Sequence, residues 1–314
     1  MLFYLLRRIG QAVLVLWAAF TIAFLLLQAL PGDAILIKFQ NPDMGLSPAQ
    51  IAEIRASYGV DSPLPIQYLH TIGNFLTGDF GYSIEAGVPV RDQIAQSLPT
   101  TLRLAVLGFL AATFIAFGIG IAAHLTQFRW LRNLLHALPP LFISVPTFWL
   151  GIILIQVVSF RLRLIPVINP GEWRGLILPI LTVAIPISAP LAQILLRAMD
   201  EIETQPFVAV VRAKGATRAR VLFRHVIRNA MIPTLTIAGI LLGELLAGAV
   251  ITETVFGLSG IGELTQQAVN GEDTSVLEAV VVLSAVAFVL INLLVDLAYP
   301  LLDPRLKQRK GAVT

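Results

Sequence analysis

The sequence predicts an all-α protein that crosses a membrane about six times. Two observations carry that reading. Of 314 residues, 56% are hydrophobic and only 13% are charged, where a soluble domain carries about 25% charged residues. The apolar residues also gather into runs near the ~20 residues that cross ~30 Å of hydrocarbon. Backbone in lipid must satisfy its own hydrogen bonds, so such runs are expected to be helices.

The first run covers residues 9–32 and holds no charge. Arg7 and Arg8 before it imitate a secretion signal, but the run is too long for a signal core and reads as a retained helix. Residues 104–128, 133–160 and 175–196 are equally free of Asp, Glu, Lys and Arg. Residues 229–252 are interrupted only by Glu244, and residues 279–295 form the last run, which lengthens to roughly 275–302. Pro139, Pro140 and Pro146 fall in the third run and Pro186 and Pro190 in the fourth. Proline removes a backbone donor and bends a helix. Bends that shape a pore and kinks that merely pack are both open readings.

Lys and Arg give the expected sidedness. With the N-terminus in the cytoplasm, fifteen of the 22 cations fall on the inner side and seven on the outer. That bias matches an N-in, C-in topology. Residues 31–97 then form a long outer segment, rich in acids. Within it "LSPAQIAEIRASYG" reads as a short helix with Ser47 as N-cap, Pro48 in the first turn and Gly59 at the stop. "DSPLP" and "TGDFGYS" read as turns. A second outer loop, residues 254–274, contains "FGLSGIGEL". The chain therefore divides into residues 1–30 (N-terminal end and first span), 31–97 (outer segment), 98–301 (five-helix core with an inner loop at 198–229) and 302–314 (inner tail).

The inner loop is the densest cluster of positive charge. "RAKGATRARVLFRHVIRNAMIP" holds six of the 22 Lys and Arg residues. Pro206 can open a short helix that ends near Lys214, and Gly215 supplies the positive φ of a sharp turn. Residues 217–229 fit a second helix. On it Ala219, Leu222, Phe223 and Val226 make an apolar face, and Arg220, Arg224 and Arg228 make a basic ridge. Docking into a partner's groove and lying on anionic lipid are both open on this pattern.

Several stretches resemble one family. "FVAVVRAKG" with "RHVIRNAMIP", "PGDA", "YGVDSPLPIQYL", "GDFGYS" with "PVRDQI", "SLPTTLRLA", "SVPTFWLG", "ITETVFGLSGIGEL" and "NLLVDLAYPLLDPRLK" are similar, in this order, to the first permease subunit of the dipeptide/oligopeptide/nickel class of ABC importers. The resemblance covers almost the whole chain. It implies the type I importer permease fold and a homologous second permease. It also implies two cytosolic ATPases that carry ATP and Mg, an extracytoplasmic substrate-binding protein, and a place in the bacterial inner membrane. The cargo class would be di- or oligopeptides, glutathione-like molecules or metal chelates, nickel included. The loop would couple to the ATPases through Ala209, Arg212, Ala213, Lys214, Gly215, Arg220, Leu222, Phe223 and Arg224. The chain departs from the general importer motif: aligned on Gly215, the Glu-Ala-Ala triplet falls on Ala209, Val210 and Val211, so its Glu is absent.

Four polar residues fall within or at the end of spans. Glu244 is inside the fifth run, Glu253 lies at its end, and Asn292 and Asp296 stand one turn apart in the sixth. Carboxylates in lipid are costly and face the bundle interior or water. A substrate pathway or gate is one reading of these residues; polar contact between helices is the other, and for Glu253 a cap on the following loop. The four histidines, His70, His124, His136 and His225, are dispersed without ligand spacing, so no metal site is expected. No Walker loop and no nucleophile–base pair stands out, so the chain is expected to bind no cofactor and to be no enzyme. Two rivals stay beside the importer reading: an ion-coupled secondary transporter using Glu244 or Asp296, and a membrane scaffold.

Overall fold

The computed structural model describes residues 2–28, 62–166, 171 and 173–302. The helix expected near residues 47–59 and the tail 303–314 lie outside them. Eleven α-helices are present among the described residues. They are α1 (Leu2–Gln28), α2 (Leu64–Thr77), α3 (Val90–Leu125), α4 (Arg129–Ser144), α5 (Thr147–Leu154) and α6 (Arg174–Glu203). They continue with α7 (Pro206–Ala213), α8 (Arg218–Val221), α9 (Ile227–Phe256), α10 (Ile261–Asn270) and α11 (Thr274–Leu302). Two π-helical stretches, Ile155–Arg161 and Leu222–Val226, prolong α5 and join α8 to α9.

Among the described residues each of the six expected runs is largely helical. At 1.5 Å per residue, α3 is about 54 Å long and the continuous helix 218–256 about 58 Å, well beyond ~30 Å of hydrocarbon. Both must project past the bilayer. The third run is one span only as a bent pair: its halves meet at 102°. The break is at Val145–Pro146, where both residues are extended, as expected when proline excludes the helical region for the residue before it. Pro139 and Pro140 stay inside α4, and α6 runs unbroken through Pro179, Pro186 and Pro190.

Contacts divide the chain into two units. The larger, residues 101–258 with 290–314, is built round α6. One core joins Ala112, Ala116 and Ile119 of α3 to Ala184, Leu191 and Ala192 of α6 and Leu241 of α9. A second joins Leu104, Val183 and Leu245. Close approach needs glycine: a methyl at Gly120 would meet Leu195 Cδ2 at 3.1 Å, and one at Gly151 would meet Val255 and Phe256 at 3.2 Å. Gly120 of α3 thus serves helix packing.

The smaller unit, residues 1–100 with 259–289, holds two helices that the sequence reading took as turn and loop. In "DSPLP", Pro63 is the N-cap of α2 and Pro65 sits in its first turn. Pro tolerates that place because the N–H there has no helical partner. In "FGLSGIGEL", Gly260 precedes α10. "TGDFGYS" is a turn, with Gly78 and Gly81 at φ 79° and 75°. Val90, Ile94, Ile261, Ala268, Val276 and Val280 form the core here.

Asp273 staples this unit. It is buried at the N-terminus of α11 and accepts hydrogen bonds from Ser83 Oγ at 2.5 Å, the Glu85 amide at 3.2 Å and the Val276 amide at 3.3 Å. A carboxylate taking three donors at a helix N-terminus is a strong cap. Asp273→Ala should cost about 2–3 kcal/mol locally, since bonds to a charged group contribute about 1.5–3 kcal/mol. Amide exchange at residues 83–87 and 274–277 should rise by one to two orders of magnitude; unchanged exchange would show that the carboxylate holds nothing.

Candidate coupling interface

The basic loop is a folded hairpin. Pro206 opens α7, Lys214 ends it, and Gly215 turns the chain at φ 82°. Thr217 then caps α8 by accepting from the Arg220 amide at 3.3 Å. Beneath the hairpin lies a dry core. Leu195, Met199 and Ile202 of α6 meet Val208 of α7, and Val221, Leu222, Val226 and Ala230 of the continuous helix 218–256. Phe117 and Ile121 of α3 pack against it. Val208, Val221, Leu222 and Val226 are fully enclosed. Each such side chain contributes about 1.5–3 kcal/mol relative to exposure, so the hairpin moves with α6 and α9 or not at all.

The expected apolar face is corrected here. A regular α-helix would bury Ala219, Leu222, Phe223 and Val226 together. The structure buries Val221, Leu222 and Val226 and leaves Ala219 and Phe223 exposed, Phe223 at 55%. The π stretch at Leu222–Val226 widens the turn to i→i+5 and shifts the register. Leu222 is therefore an anchor of the hairpin and is closed to a partner. Ala209, Arg212, Ala213, Lys214, Gly215, Arg220 and Arg224 are all exposed, so with Phe223 eight of the nine expected contact residues are accessible. Sequence reasoning missed Phe207 and Val210, which are exposed on α7; their i, i+3 spacing was the available signal. Arg212 pairs with Glu203 at 3.7 Å, a half-exposed contact worth less than about 1 kcal/mol. An open recess of about 420 Å³, lined by Ile202, Gln205, Phe207 and Asn229, lies at the hairpin's base.

A polar latch braces the same end of α6. His124, buried at the end of α3, places Nδ1 2.9 Å from the Gly120 carbonyl and Nε2 3.1 Å from Asp200 Oδ1. The partners lie 76 residues apart, and no local pattern announces them.

Two family descriptions match the chain: residues 114–308 match "Binding-protein-dependent transport system inner membrane component" and residues 1–105 its N-terminal companion. The chain belongs to this family. It is a permease subunit of a binding-protein-dependent ABC importer, a component of the inner membrane. It is 36% identical over 312 residues to a probable peptide ABC transporter permease protein, y4tP, of Sinorhizobium fredii, covering 97% of this chain and 99% of that one. It is 34% identical over 310 residues to the glutathione transport system permease GsiC of Salmonella typhimurium, covering 98% and 100%. The inward-facing MetNI methionine ABC transporter shares the fold, with a TM-score of 0.58, 19% identity, and coverage of 67% of this permease and 96% of that chain. This is the type I importer permease fold the sequence implied.

The two carboxylates of α9 separate. Glu253 is fully buried at the end of α9, and Thr101 Oγ1 of α3 donates to its Oε1 at 2.6 Å. The cap of the following loop uses the Glu253 backbone carbonyl, which accepts from the Leu258 amide at 2.9 Å. Glu244 is exposed. Nine residues from Glu253, it lies about half a turn round the helix, so the two carboxylates face opposite ways. Asn292 is half-buried. The side chain of Asp296 lies outside the described residues. Among the described residues no cluster of His, Asp and Glu is arranged for a metal.

Leu222→Ala should destabilise the permease by about 2–5 kcal/mol, the usual cost of emptying a packed leucine site. Phe223→Ala should change stability by no more than about 0.5 kcal/mol. Thermal melting of the two purified variants in nanodiscs checks the pair; equal melting shifts would refute the assigned register.

Proposed function

We propose that the hairpin 206–226 is the surface through which ATP hydrolysis in partner subunits drives this permease. The observation that carries it is the combination of a rigid base and an open tip. Leu222, Val226 and Val208 fuse the hairpin to α6 and α9, while Phe207, Val210, Phe223 and the arginines stay uncovered. An apolar tip ringed by cations is suited to docking in a partner's groove. On this reading two cytosolic ATPases hold ATP and Mg, a homologous second permease completes the pathway, and an extracytoplasmic binding protein delivers cargo. Both termini are cytoplasmic, in keeping with the excess of Lys and Arg on that side. Residues 31–97 are extracytoplasmic, 98–301 the core and 302–314 a cytoplasmic tail.

The cargo is a di- or oligopeptide or a glutathione-like molecule. The names of y4tP and GsiC, relatives matched over nearly their full length, support that class. Exposed Glu244 lies on the face that meets the pathway or the second permease, because a carboxylate left against lipid is costly. Asn292 and Asp296 are assigned to the pathway with it. Glu253 acts at a distance from cargo, by tying α9 to Thr101 of α3 where an outer gate would close.

Gly215→Pro tests the lever. Proline fixes φ near −65°, whereas Gly215 adopts 82°, so the hairpin turn must break. Reconstituted with its partners in vesicles, the variant should lose cargo uptake and cargo-stimulated ATP hydrolysis while the ATPases keep their basal rate. Equal coupling by wild type and variant would refute the proposal. Uptake of labelled dipeptide, competed in turn by glutathione and by a nickel chelate, identifies the cargo.

A further inference from the structure

The structure assigns α2 to the membrane surface: it lies along the headgroup boundary at the end of α1 and presents Leu69 and Leu76 to lipid. In "LPIQYLHTIGNFLT" there is no Asp, Glu, Lys or Arg. No residue of the helix is fully buried, so it is no core helix, yet half of it is apolar.

Its side chains fall into three arcs. At 100° per residue, Tyr68 and Phe75 share one line, Leu69 and Leu76 a second about 100° round, and His70, Asn74 and Gln67 a third beyond that. The first arc packs on protein. Tyr68 lies 5.5 Å from Phe20 and 5.4 Å from Phe24, and Phe75 lies 5.4 Å from Phe20, centroid to centroid. Thr21 Oγ1 donates to the Trp17 carbonyl at 2.7 Å, so the 2.8 Å bond between Thr21 and Tyr68 Oη is donated by the tyrosine. The second arc is uncovered: Leu69 is 68% exposed and Leu76 84%. The third is polar, with His70 and Asn74 sharing a 3.4 Å contact. Protein, lipid and water are the three environments such a helix requires.

Depth fixes the occupant. The apolar span of α1 runs to Leu27. Phe24 and Phe20 precede that end by three and seven residues, about 4.5 and 10.5 Å along the axis. The aromatic contacts hold α2 at that level. Interfacial helices bury their apolar face about 5–10 Å into the boundary between headgroups and chains. At the same level α1 exposes Ile22, Leu25 and Leu26, the apolar surface that a membrane span presents to acyl chains. A protein partner is not needed to cover them.

The chain contains no cysteine, so single cysteines at positions 69, 76 and 70 can each carry a nitroxide. The assembled transporter is placed in phosphatidylcholine–phosphatidylglycerol nanodiscs, and the spectrum of the assembly with the wild-type chain is subtracted. Relaxation by oxygen should exceed relaxation by an aqueous nickel complex several-fold at Leu69→Cys and Leu76→Cys, and the ratio should invert at His70→Cys. A label at Leu14→Cys on α1 reports whether α1 spans lipid at all; an aqueous label there would overturn the membrane span itself. With Leu14 in lipid, nickel-dominated relaxation at 69 and 76 overturns the assignment. So does protection of both labels from both reagents that is lifted when the binding protein or second permease is left out, which would make the occupant a protein.

Discussion

The scarcity of hydrogen-bond partners in hydrocarbon constrains every other feature of this permease. Each unpaired backbone group in lipid costs several kcal/mol, so the chain crosses as helices. The 102° break between α4 and α5 is a departure whose Ser144 and Pro146 stay exposed in this chain. There Val145 and Pro146 leave the helical region, and in the helix beyond a methyl at Gly151 would crowd Val255 and Phe256 at 3.2 Å. The same economy explains why the prolines of α6 are tolerated inside the most enclosed helix of the larger unit.

Within that scaffold the coupling role proposed for the hairpin rests on contrast. A flexible basic loop would bind a partner and transmit nothing. Here Met199, Val208, Val221, Leu222 and Val226 exclude water from the base, and the His124–Asp200 bond ties α3 to the same end of α6. A push on the tip is carried to three long helices at once. Binding energy can then bias two states, provided a partner contacts them differently. The π stretch sets the division of labour: it turns Leu222 inward as an anchor and leaves Phe223 outward and open.

Much of this was legible in the sequence because the bilayer filters composition so strongly. The six spans, the Pro206 start and the Gly215 turn follow from run length, ring geometry and the missing Cβ. What was not legible depended on contacts between distant residues or on small departures from ideal helix. The register of Leu222 and Phe223 required knowing that one turn would widen. Asp273 and Ser83 lie 190 residues apart, and neither announces the other. Helices α2 and α10 were hidden because their proline and glycine signals mark a helix start and a turn equally well. The side chain of Glu253 reads locally as a cap, yet its carboxylate is taken by Thr101.

The opposed carboxylates of α9 connect fold to assembly. Glu253 is spent inside the chain, on a hydroxyl of α3. Glu244, half a turn away, is left on the outside. A helix with charge on one face and a satisfied carboxylate on the other cannot be wholly surrounded by lipid, so its outward face has to meet water or another polypeptide. A permease that forms half of a pathway has that surface by necessity. On α2 the uncovered arc is different: Leu69 and Leu76 carry no charge, and lipid satisfies them.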